Sequence, residues 1–373
     1  MNTKDIGKNI DFQTVRKSAK LGYADSMFLL GSLYFDGHGT KQNLRLAKKW
    51  WQKAAKAGNM YAQYNTALMY LNGDGVEKSA EKATEWYLKA ALQGHAIAQN
   101  ELGYAYQNGL GVEENQEKAL EWYQKAAEQG FAVAEYNIGE MYENGLSVEK
   151  SLEEAFSWYK RSAEHGFARG QFQVGFMYNK GLGVEKKEEE AVNWTIRAAN
   201  QGFPTAINNL ASEYEYGGVL KQDYQRAFEL YLQVAEQGLA SAQRNLGKMY
   251  YAGKGIEQDY QKSFEWYQKA AEQGDYLAQR VIGYMYLHGE GVEQDYEKAM
   301  FWCVKAAEQN DAQSYWRVGL MYYEGLGVEA DKIKGEEWCK KAAELGEEKA
   351  KKYLEKKAAE EAAKSKDSLT QEP

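Results

Sequence analysis

Apolar and polar positions along this chain repeat with a spacing of 36 residues. Tryptophan returns at Trp50, Trp86, Trp122, Trp158, Trp194, Trp266, Trp302 and Trp338, and Leu230 fills the one remaining phase. Tyrosine returns without a gap at Tyr34, Tyr70, Tyr106, Tyr142, Tyr178, Tyr214, Tyr250, Tyr286 and Tyr322. Inside one period the pattern predicts two helices. In the first unit YADSMFLLGSLYF reads as helix A, DGHGTKQN as a connection and LRLAKKWWQKAAKA as helix B. The closing phase holds Gly58, Gly94, Gly130, Gly166, Gly202, Gly238, Gly274, Asn310 and Gly346. Gly and Asn are the residues that tolerate a left-handed helix terminus. The next helix starts almost at once, so consecutive helices must fold back on each other. Such self-similarity predicts a solenoid whose units touch only their neighbours, with a long surface and few cavities.

The packing signal is in the small residues. Helix A carries Gly31, Gly103, Gly139, Gly175, Gly247, Gly283 and Gly319 near its middle, with Ala67 and Ala211 in the other two units. A mid-helix glycine costs about 1 kcal/mol relative to alanine, so its recurrence predicts close approach of a partner helix. Helix B answers with alanine at 55, 91, 127, 163, 199, 235, 271, 307 and 343. The connection holds paired glycines in most units, and the apolar residue after them (Val76, Val112, Val292, Val328) is expected to tuck the loop against the helices. Unit six departs from the pattern through Pro204, the Gly217–Gly218 loop and Leu230. A soft point over 203–238 is the expectation there.

The ends read differently. Residues 10–22 predict an N-capping helix, 23–346 nine repeats, and 347–364 a charged C-capping helix that touches the last repeat through Tyr353 and Leu354. Residues 1–9 and 365–373 are expected to be disordered.

Composition narrows the function. The net charge of −8 disfavours non-specific contact with nucleic acid. Cys303 and Cys339 occupy one phase of adjacent repeats, about 8–10 Å apart on stacked helices. That exceeds disulfide reach, so both read as buried thiols. With no apolar leader at MNTKDIGKNIDF and no run long enough to span a membrane, the chain is expected to be cytoplasmic.

The pattern A-x-x-x-L-G-x-x-Y-x-x-G-x-G-V followed by A-x-x-W-Y-x-K-A-A-E-Q-G resembles the Sel-one-like repeat family, relatives of tetratricopeptide repeats, over residues 23–346. The resemblance implies an all-α fold: a right-handed α-solenoid of nine 36-residue helix-turn-helix repeats, with a concave face lined by helix A. It also implies an adaptor role, in bacteria. A cysteine-rich secreted branch of that family is linked to β-lactam binding and hydrolysis. This chain lacks the paired cysteines and the export signal of that branch.

Three helix-A positions vary between repeats and share one face by their spacing of four and three. In the first half they gather Tyr64, Tyr104, Tyr136, Phe172 and Phe176, a neutral aromatic run. In the second they gather Arg244, Lys248, Arg280, Tyr284 and Trp316, a basic–aromatic run. Exposed aromatic clusters mark binding surfaces. The expected ligand is a protein or peptide, with an acidic segment meeting the basic run.

Catalysis finds no support in the pattern. His38, His95, His165 and His288 are scattered over different phases, and no metal spacing appears. The Gly-x-Gly pairs belong to repeat turns rather than phosphate loops. No cofactor is expected. The sequence therefore reads as a non-enzymatic scaffold, with two alternatives: a binding protein that neutralises a toxin or effector, and, less favoured, a hydrolase of β-lactam or peptidoglycan-like material.

Overall fold

The computed structural model describes residues 11–369. The described chain is helical throughout and forms two compact units, one ending at Ala198 and the other beginning at Ala199. The first unit opens with α1 (Phe12–Lys20). It continues through four helix pairs: α2 (Ala24–Asp36) with α3 (Leu44–Lys56), α4 (Met60–Asn72) with α5 (Ala80–Leu92), α6 (Ala96–Asn108) with α7 (Gln116–Ala127), and α8 (Ala132–Asn144) with α9 (Leu152–Glu164). Then come α10 (Ala168–Lys180) and α11 (Glu188–Asn200), which carries the division near its end. The second unit holds α12 (Pro204–Tyr216) with α13 (Tyr224–Ala235), α14 (Ala240–Ala252) with α15 (Tyr260–Glu272), α16 (Tyr276–His288) with α17 (Tyr296–Ala307), and α18 (Ala312–Glu324) with α19 (Lys332–Glu344). It ends in α20 (Glu348–Leu369). From α1 to α10, and again from α12 to α20, each helix packs on the next in the chain. This is an all-α solenoid.

Start and stop signals explain the helix lengths. Helix B is capped in phase by Asn43, Ser79, Asn115, Ser151, Asp223, Asp259, Asp295 and Asp331, whose side chains accept backbone N–H groups of the first turn. The closing phase has the expected left-handed backbone even at Asn310, where φ is 63°. The α20 helix runs on to Leu369, past the 364 expected from sequence. Its KKAAEEAAKSK stretch is made of strong helix formers with no Gly or Pro to stop it. The disorder expected of residues 1–9 and 370–373 falls outside the described residues.

The mid-helix glycines admit side chains, but not those of the repeated tryptophans. A methyl group at Gly139 would stand 2.7 Å from the Tyr159 ring, and one at Gly283 only 2.6 Å from Cys303 Sγ. The position after the tryptophan phase is therefore the deeper one, and its rings Tyr123, Tyr159 and Tyr231 are fully buried. Trp86, Trp158 and Trp266 lie further out, each under a cation one turn on: Lys89 at 4.0 Å, Arg161 at 4.4 Å and Lys269 at 3.8 Å. In unit six Leu230 is buried beside Tyr231, and Phe228 meets Tyr250 edge-on at 5.6 Å.

A glutamine ladder ties helix B of one repeat to helix A of the same packed pair. Gln93 donates to Gln63, Gln129 to Gln99, Gln273 to Gln243 and Gln309 to Gln279, all at 2.7–2.9 Å. Each acceptor glutamine in turn donates to a buried alanine carbonyl: Ala55, Ala91, Ala235 or Ala271. One rung differs. There Glu135, wholly buried, meets His165 at 2.7 Å and Arg161 at 3.1 Å. Both thiols are buried and unbridged, as expected. Burial pushes Cys303 up to about 12 and Cys339 up to about 11, so neither is a ready nucleophile.

Candidate functional site

The three variable helix-A phases do three different jobs. At Tyr64, Tyr136, Arg244 and Arg280 the first phase meets the residue 31 positions on, which stands at the N-cap of the following helix A. In the first unit this contact is aromatic. Tyr64 stacks on His95 with centroids 4.9 Å apart, and Tyr136 meets Phe167 at 5.5 Å. In the second unit it is ionic: Arg244 donates to Asp275 at 3.0 Å and Arg280 to Asp311 at 2.9 Å. The seam partners Asp275 and Asp311 also accept the N–H groups of Ala278 and Ser314, so each carboxylate caps a helix and neutralises an arginine together.

The third phase serves the buried tyrosines. Tyr123 donates its hydroxyl to Gln107, Tyr159 to Glu143 and Tyr231 to Glu215. Glu215 is buried and also takes the Lys248 ammonium at 2.8 Å. Lys248 additionally bonds Tyr216 and lies over its ring. Burial alone would lower the Lys248 ammonium, but its bonds to Glu215 and Tyr216 outweigh this and hold it above its ordinary value.

The second phase presents open aromatic surface in α6 and α10, and the third does so at Phe35, which is 46 % exposed. Tyr104 is 49 % exposed and Phe176 38 % exposed. Phe172 is partly buried. Trp316 lies under the terminal helix, edge-on to Tyr353 at 5.5 Å, which also meets Tyr323. Tyr284 is partly buried, lies under the Arg317 guanidinium at 5.0 Å, and helps line a cavity of about 220 Å³ with Tyr251, Tyr267, Arg280 and Arg317. Of the aromatic run, then, Tyr104 and Phe176 face outward, while Tyr64 and Tyr136 fill seams. Of the basic run, Arg244, Lys248 and Arg280 each hold a carboxylate already.

Sequence reasoning missed the seam partners and the hydroxyl acceptors. A signal existed: Asp275 and Asp311 appear in the cap phase 31 residues after Arg244 and Arg280. Among the described residues no three His, Cys, Asp or Glu side chains gather as a metal site would require. No described helix is long and apolar enough to cross a membrane.

The Sel1 repeat matches nine times, over residues 24–59, 61–95, 96–131, 132–167, 168–203, 204–239, 240–275, 277–311 and 312–347. The chain belongs to the Sel1 repeat family. Two solved bacterial structures resemble this Sel1 array. The c5321 protein, a protective antigen of uropathogenic Escherichia coli displaying an SLR fold, is 32 % identical. That match covers 90 % of this chain and 80 % of the other, with a TM-score of 0.73. A Sel1 repeat protein from Oxalobacter formigenes is 35 % identical over 65 % of this chain and 96 % of its own, with a TM-score of 0.59. No curated protein matches the chain in sequence. Sel1 arrays of this kind are typically protein-interaction scaffolds.

Proposed function

We propose that this Sel1 array is a non-enzymatic scaffold whose helix-A face binds a protein or peptide. The observation that carries the reading is the exposure of Tyr104 and Phe176 in one phase of α6 and α10. Neither ring is needed to close a seam, since Tyr64, Tyr136 and the glutamine ladder do that work. Between them in the same phase stands Glu140, which accepts the Tyr136 hydroxyl at 3.1 Å and pairs with Arg169 at 3.6 Å. Aromatic rings separated by a polar position suit an extended or helical segment that offers apolar side chains at intervals.

The test compares two faces by affinity capture from the native cell. Tyr104→Ala with Phe176→Ala should deplete the captured proteins about tenfold while leaving thermal stability unchanged, because both rings are exposed. Glu85→Lys with Glu121→Lys, on the exposed side of helix B, should leave capture intact. Equal capture by both variants would overturn the reading.

A further inference from the structure

The cavity beside Tyr284 arises from a local break in the repeat. In two other places the first helix-A phase and the position after its counterpart one repeat on are both asparagine, and the two bond directly. Asn137 donates to Asn100 at 2.9 Å, and Asn245 donates to Asn208 at 3.1 Å. The same two phases hold Arg280 and Arg317 in α16 and α18. Two guanidinium groups carry only donors and like charge, so they cannot close the gap as the asparagines do. A cavity of about 220 Å³ stands there instead, lined by Tyr251, Tyr267, Arg280, Tyr284, Gln313 and Arg317. At roughly 30 Å³ per water molecule this is room for one side chain.

The donors in this cavity are unevenly satisfied. Arg280 is held by Asp311 at 2.9 Å. The Glu290 carboxylate accepts the Tyr251 hydroxyl at 2.7 Å. Arg317 is different: its Nε is buried and has no hydrogen-bond partner among the described residues, and its guanidinium lies over the Tyr284 ring. A buried donor left without an acceptor is costly. That Nε is closed to solvent in the fold. The Arg317 side chain must therefore swing within the cavity for an incoming carboxylate to accept from its Nε–H and a terminal nitrogen, side-on, as arginine presents them. The Gln313 amide offers a further donor, and the Tyr251, Tyr267 and Tyr284 rings suit the methylene stem of the incoming group.

We propose that this cavity is a subsite for one acidic side chain, a glutamate or aspartate, of the peptide bound by the array. The inference rests on the peptide-binding reading above and goes beyond it by naming the recognised chemistry and the residue that reads it. The basic run as a whole does not do this, because Arg244 and Lys248 are neutralised within the fold.

The test is a selection from a random decapeptide display library on the full chain, run in parallel on Arg280→Asn/Arg317→Asn. The double variant installs the asparagine pair that this chain already folds around twice. Arg317→Gln serves as a second variant that leaves the Arg280–Asp311 pair in place. The parent should enrich an acidic residue at one peptide position about tenfold over both variants, the selectivity of a charge-assisted hydrogen bond. Peptides retained with equal acidic content by parent and variants would overturn the subsite while leaving the binding face intact. Retention of no peptide by the parent would overturn both.

Discussion

Tyr136 and Arg280 occupy the same phase of the repeat and join neighbouring helices by opposite means. Tyr136 is buried and packs its ring on Tyr159 at 5.0 Å and on Phe167, with the Arg169 guanidinium over its face. Arg280 is partly exposed and reaches Asp311, whose other oxygen caps α18. The first joint depends on area and shape, and the second on charge and hydrogen bonds. The repeat thus specifies a slot and not a chemistry. A seam has to be filled by something that meets the next cap residue, and either an aromatic pair or an ion pair will do.

The largest effect should separate the two joints. Tyr136→Ala removes a buried ring and opens a void, at a cost of about 3–5 kcal/mol. Arg280→Met leaves Asp311 its cap bonds to Ser314 and keeps the stem, so the loss should be about 1–2 kcal/mol. Native-state hydrogen exchange reads the two sites separately, which suits an array that need not unfold in one step. Salt at 1 M should lower protection around Asp311 more in the parent than in Arg280→Met, whereas the loss caused by Tyr136→Ala should not depend on salt. Equal losses, or equal salt responses, would mean that the slots are energetically alike.

A middling effect should come from pH. His95 fills the cap phase in the aromatic half, where its Nδ1 accepts the Ala98 N–H at 3.1 Å and its ring lies between Tyr61 and Tyr64. Burial lowers its affinity for a proton below the ordinary value of 6.5. The unfolded chain then binds the proton more readily, so this contribution is complete above pH 6.5 and fades as the pH falls towards the lower folded value. Protection of α6 should decline on mild acidification. His95→Asn keeps a cap acceptor of the kind Asn59 already provides in this phase, and should flatten the response. Helices α16 and α18, capped by carboxylates, provide the internal reference. An unchanged pH profile in His95→Asn would show that the imidazole does not titrate against the cap.

Much of the scaffold was legible because its constraints repeat. The glycines at 139 and 283 predicted close approach, and the structure puts Tyr159 and Cys303 against them. The tryptophans were conspicuous in the sequence for their regularity, yet the adjoining tyrosine is the deeper residue, since an invariant phase does not say which side of helix B it covers. The binding surface was less legible for a different reason. Tyr64, Tyr104 and Tyr136 are the same residue type, but only Tyr104 is exposed. What decides this is the phase: Tyr64 and Tyr136 stand in the first, where His95 or Phe167 lies 31 residues on, while Tyr104 stands in the second, which faces outward in α6. Variation between repeats marks positions freed from one rule. Some of those positions answer to a second rule that links distant residues, and a single period does not display it.

The smallest effect tests whether such linked rules extend to the third helix-A phase. Gln107, Glu143 and Glu215 each accept the hydroxyl of the tyrosine 16 residues on. In that phase the second repeat has Leu71, and the Tyr87 hydroxyl is buried without a hydrogen-bond partner among the described residues. Tyr87→Phe should therefore be neutral or stabilising by up to about 1 kcal/mol, because it removes a buried group that gains nothing. Tyr159→Phe should instead destabilise by about 1 kcal/mol, because Glu143 loses the hydroxyl and keeps only the longer bond from Gln173 at 3.4 Å. Exchange protection of α5 and α9 gives the two values. Equal destabilisation by the two substitutions would mean that Tyr87 finds an acceptor the fold does not show, and that the pairing of third phase with buried tyrosine is incidental.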